Sequence, residues 1–376
     1  MNIRLSRSIV GEAEAQAVRR VLIEDGYLGM GTEVRLFEEE LAVYLNRAPE
    51  HVIAVNSGTA ALHLAVQAMV EPGCEVLVPS LTFVASFQSI SAAGCVPVAC
   101  DAREDNAIID LEDAKTRITP RTRAIMPVHY ASNPAGLEAI YEFARKHKLR
   151  VIEDAAHAFG CRHKGRRIGS FGDVICFSFD GIKNITCGEG GCIVTVDPEV
   201  ARRCRDARLL AVQNDTQARY SGARSWDFDV NDQGYRYHMS NLMAAIGRVQ
   251  LSRLENEFAP KRTRLAAIYR ERLADLHDIA FFQNDPEDEI VPHIAPVRVL
   301  HGRRDRVKAD LAEAGIPTGI HYKPNHLLRR YGGGKSSLPT TERLYSELMT
   351  LPLHPGLSED QIEHICALLR KALAIL

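Results

Sequence analysis

Residues 51–69 read HVIAVNSGTAALHLAVQAM, and they contain the unit from which the fold is built. The apolar run at 51–55 is typical of a short buried strand. The polar sequence NSGT ends this run, and an apolar stretch of helical length follows from residue 58. A strand that passes at once into a helix is half of a βαβ unit. The segment therefore predicts a domain of alternating strands and helices.

The same alternation continues to about residue 250. Further apolar runs of strand length are EVLVP (75–79), VPVAC (96–100), RAIMPVHY (123–130) and LRVIED (149–154). These runs are nearly continuous in Val, Ile and Leu, which is the pattern of a parallel sheet covered by helices on both faces. The predicted fold class is therefore α/β, doubly wound with right-handed crossovers. Ligands of such folds gather at the carboxyl ends of the strands.

The last third of the chain has a different pattern. Short strands such as VPHIAPVRVL are mixed with helices such as RRDRVKADLAEAG. We therefore expect a large α/β domain at 1–250, which includes the N-terminal segment, and a smaller α+β domain at 251–376.

Local signals in this region make three further predictions. Pro260 should break or kink the helical stretch at 240–275. Ser358 and Gln361 should form a capping box at the start of the closing helix. The segment 325–342, which contains three consecutive glycines, should be a flexible polar loop.

The composition excludes several functional classes. The chain has 376 residues, 46% hydrophobic and 25% charged, with a formal net charge of −2. This balance is typical of globular proteins and provides no bulk charge for nucleic acid or a membrane surface. No apolar run is long enough to span a membrane, and the N-terminus becomes polar too early for a signal peptide. Nine cysteines without a CxxC pair predict reduced thiols in the cytoplasm, with no disulfide framework and no metal site.

Several residues at predicted strand ends could carry chemistry. Ser57, Gly58 and Thr59 open a helix, where N–H groups and the helix dipole favour a phosphate, although a plain N-cap is the alternative. Asp154 ends a buried strand and would need a partner, either a protonated ring nitrogen or the N-terminus of a helix. Phe83 follows another strand end, where it belongs to the core or stacks on a planar cofactor.

The stretch FSFDGIKNITCGEGG (177–191) adds Ser178 and Lys183. A lysine amine can form a Schiff base with a carbonyl and then move protons. A surface lysine is the alternative, but the flanking residues imply a buried strand and a close backbone approach. Pyridoxal 5'-phosphate (PLP) requires four groups from a protein: a phosphate cradle, a Schiff-base lysine, a carboxylate and an aromatic ring that covers it. The sequence therefore predicts a PLP site.

The chain resembles the DegT/StrS family of nucleotide-sugar aminotransferases, which are PLP enzymes of fold type I. The resemblance covers almost the whole chain in the family's order. It is carried by GYLGMGTEVRLFEEELAVYL, NSGTAALHLA, VLVPSLTFVAS, VIEDAAHAFG, GSFGDVICFSFDGIKNITCGEGG, GYRYHMSNLMAAIGRVQL and LPLHPGLSEDQI. It implies a large domain with a mostly parallel, seven-stranded sheet and a smaller C-terminal α+β domain.

The resemblance also implies roles for matching residues around the PLP ring. Lys183 would carry the cofactor and act as the acid–base catalyst. Asp154 would pair with the pyridine nitrogen. His157, where other members often have Gln, would lie near the PLP hydroxyl, and Phe83 would stack on the ring.

Further matching residues would serve the phosphate. The backbone of Gly58 and Thr59 and the hydroxyl of Ser178 would hold it. Arg236 and Asn241, in GYRYHMSN, match a segment that reaches into the neighbouring subunit's site. The resemblance therefore implies a homodimer with shared active sites.

The implied reaction is a ping-pong transfer of an amino group from L-glutamate to a nucleotide-linked keto-deoxysugar. C4 of dTDP-4-keto-6-deoxyglucose ranks first, for O-antigen or another glycan or natural product. A 3-keto sugar or a UDP- or GDP-linked sugar is the alternative. Asp180, where many relatives have His, and His321 and Tyr322 are the expected sugar-site residues, although His321 could be an ordinary loop residue.

Three other functions remain open from the sequence. A PLP sugar dehydratase of the same family is disfavoured, because such enzymes have His in place of Lys183. Another fold-type-I enzyme, such as a desulfurase or an amino-acid aminotransferase, is the second. A regulator that binds PLP or a sugar nucleotide without turnover is the third, and the intact Lys183, Asp154 and Ser178 argue against it.

Overall fold

The computed structural model describes residues 3–212, 215–223, 228–230, 232–334 and 336–374. The strands are β1 (Val52–Val55), β2 (Glu75–Pro79), β3 (Val96–Cys100), β4 (Thr122–Ile125), β5 (Arg150–Asp154), β6 (Arg162–His163), β7 (Arg166–Arg167), β8 (Val174–Ser178), β9 (Gly191–Thr195), β10 (Ile279–Ala280), β11 (Ala295–Val299) and β12 (Leu348–Leu351). The α-helices are α1 (Glu12–Arg20), α2 (Thr32–Tyr44), α3 (Gly58–Met69), α4 (Val84–Ala92), α5 (Leu111–Thr116), α6 (Leu137–His147), α7 (Pro198–Ala207), α8 (Asp215–Tyr220), α9 (Asn241–Arg253), α10 (Ala259–Leu273), α11 (Arg304–Glu313), α12 (Pro339–Glu347) and α13 (Glu359–Ala374). Within the described ranges, no helix combines the length and the apolarity needed to cross a bilayer.

Within the described part of the chain, the larger sheet has seven strands in the order β1-β9-β8-β5-β4-β2-β3. Neighbouring strands from β8 to β3 are parallel, whereas β9 is antiparallel to both β1 and β8. The predicted α/β class and mostly parallel sheet are therefore confirmed. The strands β1, β2, β8 and β9 are buried along their whole length, which explains their nearly continuous apolar sequences.

One edge of this sheet collects the carboxyl ends of the parallel strands. Because β9 is antiparallel to both β1 and β8, those two strands run in the same direction. β5 ends at Asp154 and β8 ends at Ser178. Helix α3 begins at Gly58 directly after β1, and α4 begins at Val84 shortly after β2. The candidate residues named at strand ends are thus brought to a single edge.

A second, antiparallel sheet is formed by β10, β11 and β12. It packs with α10, α11 and α13 around an apolar core that includes Val297 and Leu369. Ile3, near the N-terminus, belongs to the same core. The division into domains at 1–250 and 251–376 stays a prediction.

The helical stretch at 240–275 is interrupted as predicted. Helix α9 ends at Arg253, a π-helical turn follows at Leu254–Phe258, and α10 begins at Ala259. Pro260 lies in the first turn of α10, directly after the π-helical turn, and its missing N–H interrupts the hydrogen-bond ladder of the helical stretch. The regular ladder is therefore broken just before the proline.

The predicted capping box is also confirmed. The side chain of Gln361 accepts a hydrogen bond from the backbone N–H of Ser358 at 2.9 Å, and the Ser358 hydroxyl accepts one from the backbone N–H of Gln361 at 3.2 Å. At the start of α9, Ser240 caps the helix by accepting from the backbone N–H of Met243 at 3.3 Å. These contacts satisfy N–H groups that a helix leaves unpaired.

The segment 325–342 is only in part the polar loop that we predicted, because an exposed turn at 332–334 is flanked by ordered elements. Asn325 and His326 are buried in a short 3₁₀ turn, and Nδ1 of His326 lies 2.7 Å from the Ser80 hydroxyl. Helix α12 also begins within the segment. The prediction was wrong for Asn325 and His326, because a local pattern does not reveal hydrogen-bond partners beside the end of β2. Lys335 lies outside the described residues.

Candidate active site

A cavity of about 400 Å³ opens at the carboxyl edge of the larger sheet. Its wall contains every predicted site residue except Arg236 and Asn241, namely Gly58, Thr59, Phe83, Asp154, His157, Ser178, Asp180, Lys183, His321 and Tyr322. Residues from distant parts of the chain therefore converge in one concave site, as expected for a ligand-binding cleft.

The N-terminus of α3 forms one end of the cavity. Ser57 is the N-cap, and its hydroxyl accepts a hydrogen bond from the backbone N–H of Ala60 at 3.1 Å. A Cβ on Gly58 would lie only 2.6 Å from Cβ of Ser178, so the approach of α3 to the end of β8 requires glycine. This N-cap contact uses the amide of Ala60 and not the amides of Gly58 and Thr59. The first-turn amides, including Thr59, and the Ser178 hydroxyl are suitable donors for a phosphate.

Asp154 lies at the inner wall and is only 6% exposed. Its Oδ2 accepts a hydrogen bond from the Ser86 hydroxyl at 2.7 Å, and its Oδ1 accepts one from the backbone N–H of Ala156 at 3.2 Å. Burial raises the pKa of Asp154, and the Ser86 hydroxyl opposes that effect. Turns, with no helix, follow at residues 155–161, all of which are described, so Asp154 does not cap a helix. The buried carboxylate suits a protonated ring nitrogen.

Lys183 lies in the loop after β8, with its Nζ 3.3 Å from Nε2 of His293. Burial lowers the pKa of Lys183 to about 8, although Asp154 and Asp180 favour the charged amine. A lysine with this pKa has a far larger neutral fraction at neutral pH than an ordinary surface lysine. Because the neutral amine is the nucleophile, the arrangement fits a Schiff-base lysine.

Phe83, Tyr322 and His157 form a second wall. The ring centroids of Phe83 and Tyr322 are 5.4 Å apart, and the Tyr322 hydroxyl lies 3.0 Å from Nε2 of His157. Phe83 is 53% exposed, so it is not a core residue and its ring is free to cover a planar group. Burial, reinforced by the nearby Lys183 amine, holds the pKa of His157 well below its usual range. His157 is therefore neutral at pH 7.

Asp180 and His321 line the same cavity as the Lys183 amine. The Asp180 carbonyl accepts a hydrogen bond from the backbone N–H of Lys183 at 3.0 Å, which fixes the turn between them. Nδ1 of His321 lies 2.8 Å from the Thr350 hydroxyl in β12. Burial lowers the pKa of His321 to about 4, so this ring is also neutral. His321 is thus a cavity residue and not an ordinary loop residue.

Arg236 and Asn241 do not reach the cavity of their own chain. Arg236 is exposed, and its backbone pairs with Leu209. Asn241 is 2% exposed, and its Nδ2 donates to the carbonyl oxygen of Tyr27 at 2.8 Å. Any role that they have at an active site would be at that of a second copy.

Four residues of the site were not predicted from the sequence. Ser86 binds Asp154, the Tyr130 hydroxyl donates to the carbonyl oxygen of His321, and Glu189 lines the cavity. His293 approaches Lys183 from the segment before β11. Tyr130 ends a run that the sequence identified as a strand, whereas Ser86 lies within α4, seven residues after the end of β2. No sequence pattern connected His293 with the site, because it lies 110 positions from Lys183 along the chain.

Comparison with known proteins agrees with this geometry. A model of the DegT/DnrJ/EryC1/StrS aminotransferase family matches residues 8–370. The aminotransferase TlmJ from Streptoalloteichus hindustanus is 32% identical with a TM-score of 0.92, over 100% of this chain and 99% of that one. DesV from S. venezuelae, solved with a ketimine intermediate, is 36% identical with a TM-score of 0.88, over 96% and 95%.

A third solved structure is the PLP form of the sugar aminotransferase Spr1654 from Streptococcus pneumoniae, described there as putative. It is 27% identical with a TM-score of 0.90, and the match covers 100% of both chains. Together with the family match, these similarities confirm the predicted family, enzyme class and cofactor. The chain belongs to the DegT/DnrJ/EryC1/StrS aminotransferase family and is a PLP-dependent sugar aminotransferase.

Proposed function

We propose that this enzyme transfers the amino group of L-glutamate to a nucleotide-linked keto-deoxysugar. The observation that carries the proposal is the Lys183 amine, which is desolvated and shares one cavity with Asp154 and with the helix N-terminus at Gly58 and Thr59. An amine, a buried carboxylate and a phosphate cradle are the groups that PLP chemistry demands of a protein.

Each residue has a proposed task. When bound, PLP supplies an electron sink that stabilises negative charge on the carbon that loses its proton. Lys183 would hold and move that proton at Nζ, since a pKa of about 8 suits both acceptance and donation near neutral pH. Asp154 would keep the ring nitrogen protonated. Phe83 would cover the ring, and His157 would lie beside its hydroxyl.

The phosphate of the cofactor is proposed to lie at the start of α3. Backbone N–H groups of Gly58 and Thr59 and the Ser178 hydroxyl would donate to its oxygens, with the helix dipole adding attraction. The close contact between Gly58 and Ser178 supports this, because it brings both donors to the same end of the cavity.

The amino acceptor is proposed to be dTDP-4-keto-6-deoxyglucose, aminated at C4. This ranking rests on the resemblance carried by residues 177–191, and the same likeness suggests a place in O-antigen, other glycan or natural-product synthesis. Asp180, His321 and Tyr322 line the cavity and are proposed to contact the sugar. The alternative acceptor is a 3-keto sugar or a UDP- or GDP-linked sugar, and the test must distinguish it from the dTDP-linked 4-keto sugar.

The working unit is proposed to be a homodimer with shared sites. Exposed apolar side chains include Leu22, Ile23, Leu28, Val43, Leu210, Phe228 and Val230. Two of them flank the predicted partner-facing residues: the carbonyl of Leu28 accepts from the backbone N–H of Asn241, and Leu210 follows Leu209, which pairs with Arg236. A second copy that covered this surface would bury apolar area. The nine free thiols support a cytoplasmic location.

A panel of dTDP-, UDP- and GDP-linked keto sugars, each supplied with L-glutamate, tests the proposal, with NMR of the product to locate the new amine. We expect turnover with the dTDP-linked 4-keto sugar and an amino group at C4. If only a UDP- or GDP-linked sugar gives product, or if the new amine is at C3, the proposed substrate is wrong and that sugar takes its place. If glutamate does not bleach the absorption band of the bound cofactor, L-glutamate is not the amino donor.

A further inference from the structure

Arg262 is a buried arginine whose charge has no carboxylate partner within the described residues. It lies on α10 and is 2% exposed. Its guanidinium donates instead to three backbone carbonyls, those of Pro292 at 3.3 Å, His293 at 3.2 Å and Lys183 at 3.4 Å. Its Nε has no hydrogen-bond partner in the described structure. Burial of a guanidinium without a carboxylate partner costs folding free energy. We therefore expect a functional role for Arg262.

The three carbonyls belong to two separate parts of the fold. Lys183 lies in the loop after β8 of the larger sheet, whereas Pro292 and His293 precede β11 of the second sheet. Arg262 therefore fixes the backbone on both sides of the 3.3 Å contact between Lys183 Nζ and His293 Nε2. Asn184 makes a parallel link without a charge, because its Nδ2 donates to the carbonyls of Phe159 and Val291, each at 3.0 Å.

Arg262 also acts on the electrostatics of the amine. Asp154 and Asp180 favour the charged form of Lys183, whereas Arg262 opposes it. The histidines around the amine do not add a charge at pH 7, since burial holds the pKa values of His157, His293 and His321 well below their usual range. Glu189 also lines the cavity. Burial lowers the pKa of Arg262 to about 10, so it stays protonated at neutral pH.

We propose that Arg262 is a positioning residue that fixes the backbone of Lys183 against that of His293 and places a positive charge without a carboxylate partner beside the loop that carries the Lys183 amine. The proposal rests on Lys183 being the reactive amine of the proposed function. A like charge close to the amine disfavours its protonation without touching substrate or cofactor. The backbone link acts on the carbonyl of Lys183, whereas the charge acts on its amine, so substitution can separate the two effects.

The test measures the pKa of the Lys183 amine in protein freed of PLP, by competitive acetylation across pH with mass spectrometry of the peptide that contains Lys183. Arg262→Met should raise this pKa and reduce the neutral fraction at pH 7 by about three- to tenfold. Arg262→Lys keeps the charge and should keep the pKa close to that of the wild type. Asn184→Ala, which loosens the link but keeps the charge, should lower the melting temperature with little change in the pKa.

An unchanged Lys183 pKa in folded Arg262→Met protein would overturn the proposal. If that variant does not fold, a Lys183 pKa in Arg262→Lys that rises clearly above the wild-type value would overturn it, because the charge would then be present without its expected effect. Failure of the proposed function has a different signature. In that case PLP would not attach to Lys183 in the wild type, whatever the pKa of its amine.

Discussion

The Ser86 hydroxyl lies 2.7 Å from Oδ2 of Asp154, and it is a hydrogen-bond donor to a carboxylate that is almost completely buried. Ser86 is held in turn by α4, and its hydroxyl also lies 2.9 Å from that of Thr82. Burial raises the pKa of Asp154, whereas this hydrogen bond favours the ionised form. Ser86 therefore helps to keep the carboxylate charged for its proposed role at the ring nitrogen.

The first prediction concerns Ser86→Ala. Loss of the hydrogen bond removes a contribution that lowers the Asp154 pKa, so that pKa should rise and the ionised form should need a higher pH. We expect the acidic limb of the kcat/KM profile to move up by about one pH unit. Activity should fall most at low pH and recover as the pH increases. Ser86→Thr, which keeps the hydroxyl, is the matched control, and a profile in Ser86→Ala that matches the wild type would contradict the assignment.

The second prediction concerns Asp154→Asn. A neutral amide does not hold a protonated ring nitrogen, so kcat should fall by about 10²-fold or more. The phosphate cradle at α3 is unchanged in this variant. PLP should therefore still bind, as measured by absorbance after gel filtration. Retained PLP with near-normal kcat would remove Asp154 from its proposed role.

The third prediction uses the contact between Gly58 and Ser178. A methyl group at residue 58 would lie 2.6 Å from Cβ of Ser178, so Gly58→Ala must push α3 away from the end of β8. We expect weaker PLP binding and a loss of about 1–3 kcal/mol of stability, by equilibrium titration and urea unfolding. Gly29→Ala is the control, because its Cβ would meet no atom closer than 3.7 Å. Equal affinity for PLP in the two variants would argue against the cradle.

Much of the fold and part of the site follow from local sequence. The β5 strand ends at Asp154 and α3 begins at Gly58, as the apolar runs and the residues that end them predict. The contacts of Ser86, His293 and Arg262 were not predictable, because each depends on how distant elements pack. The prediction for residues 325–342 was incomplete for the same reason, because His326 contacts Ser80 next to β2.

The fourth prediction tests shared sites. An inactive Lys183→Ala protein mixed with an inactive Arg236→Ala protein should regain activity if subunits exchange, because each mixed dimer contains one site with every native group. An equal mixture should have about a quarter of its sites intact. Lys183→Ala mixed with Asp154→Asn is the control and should stay inactive, since neither site is complete. Exchange without any regain in the first mixture would show that Arg236 does not act at the partner's site.

The identity of the lysine that carries the cofactor is the central claim. Borohydride reduction of the PLP-loaded enzyme, followed by digestion and mass spectrometry, measures it directly. We predict that PLP becomes fixed to the peptide that contains Lys183, and that Lys183→Ala protein stays folded but acquires no such label. PLP fixed to any other lysine in the wild-type enzyme would contradict the account.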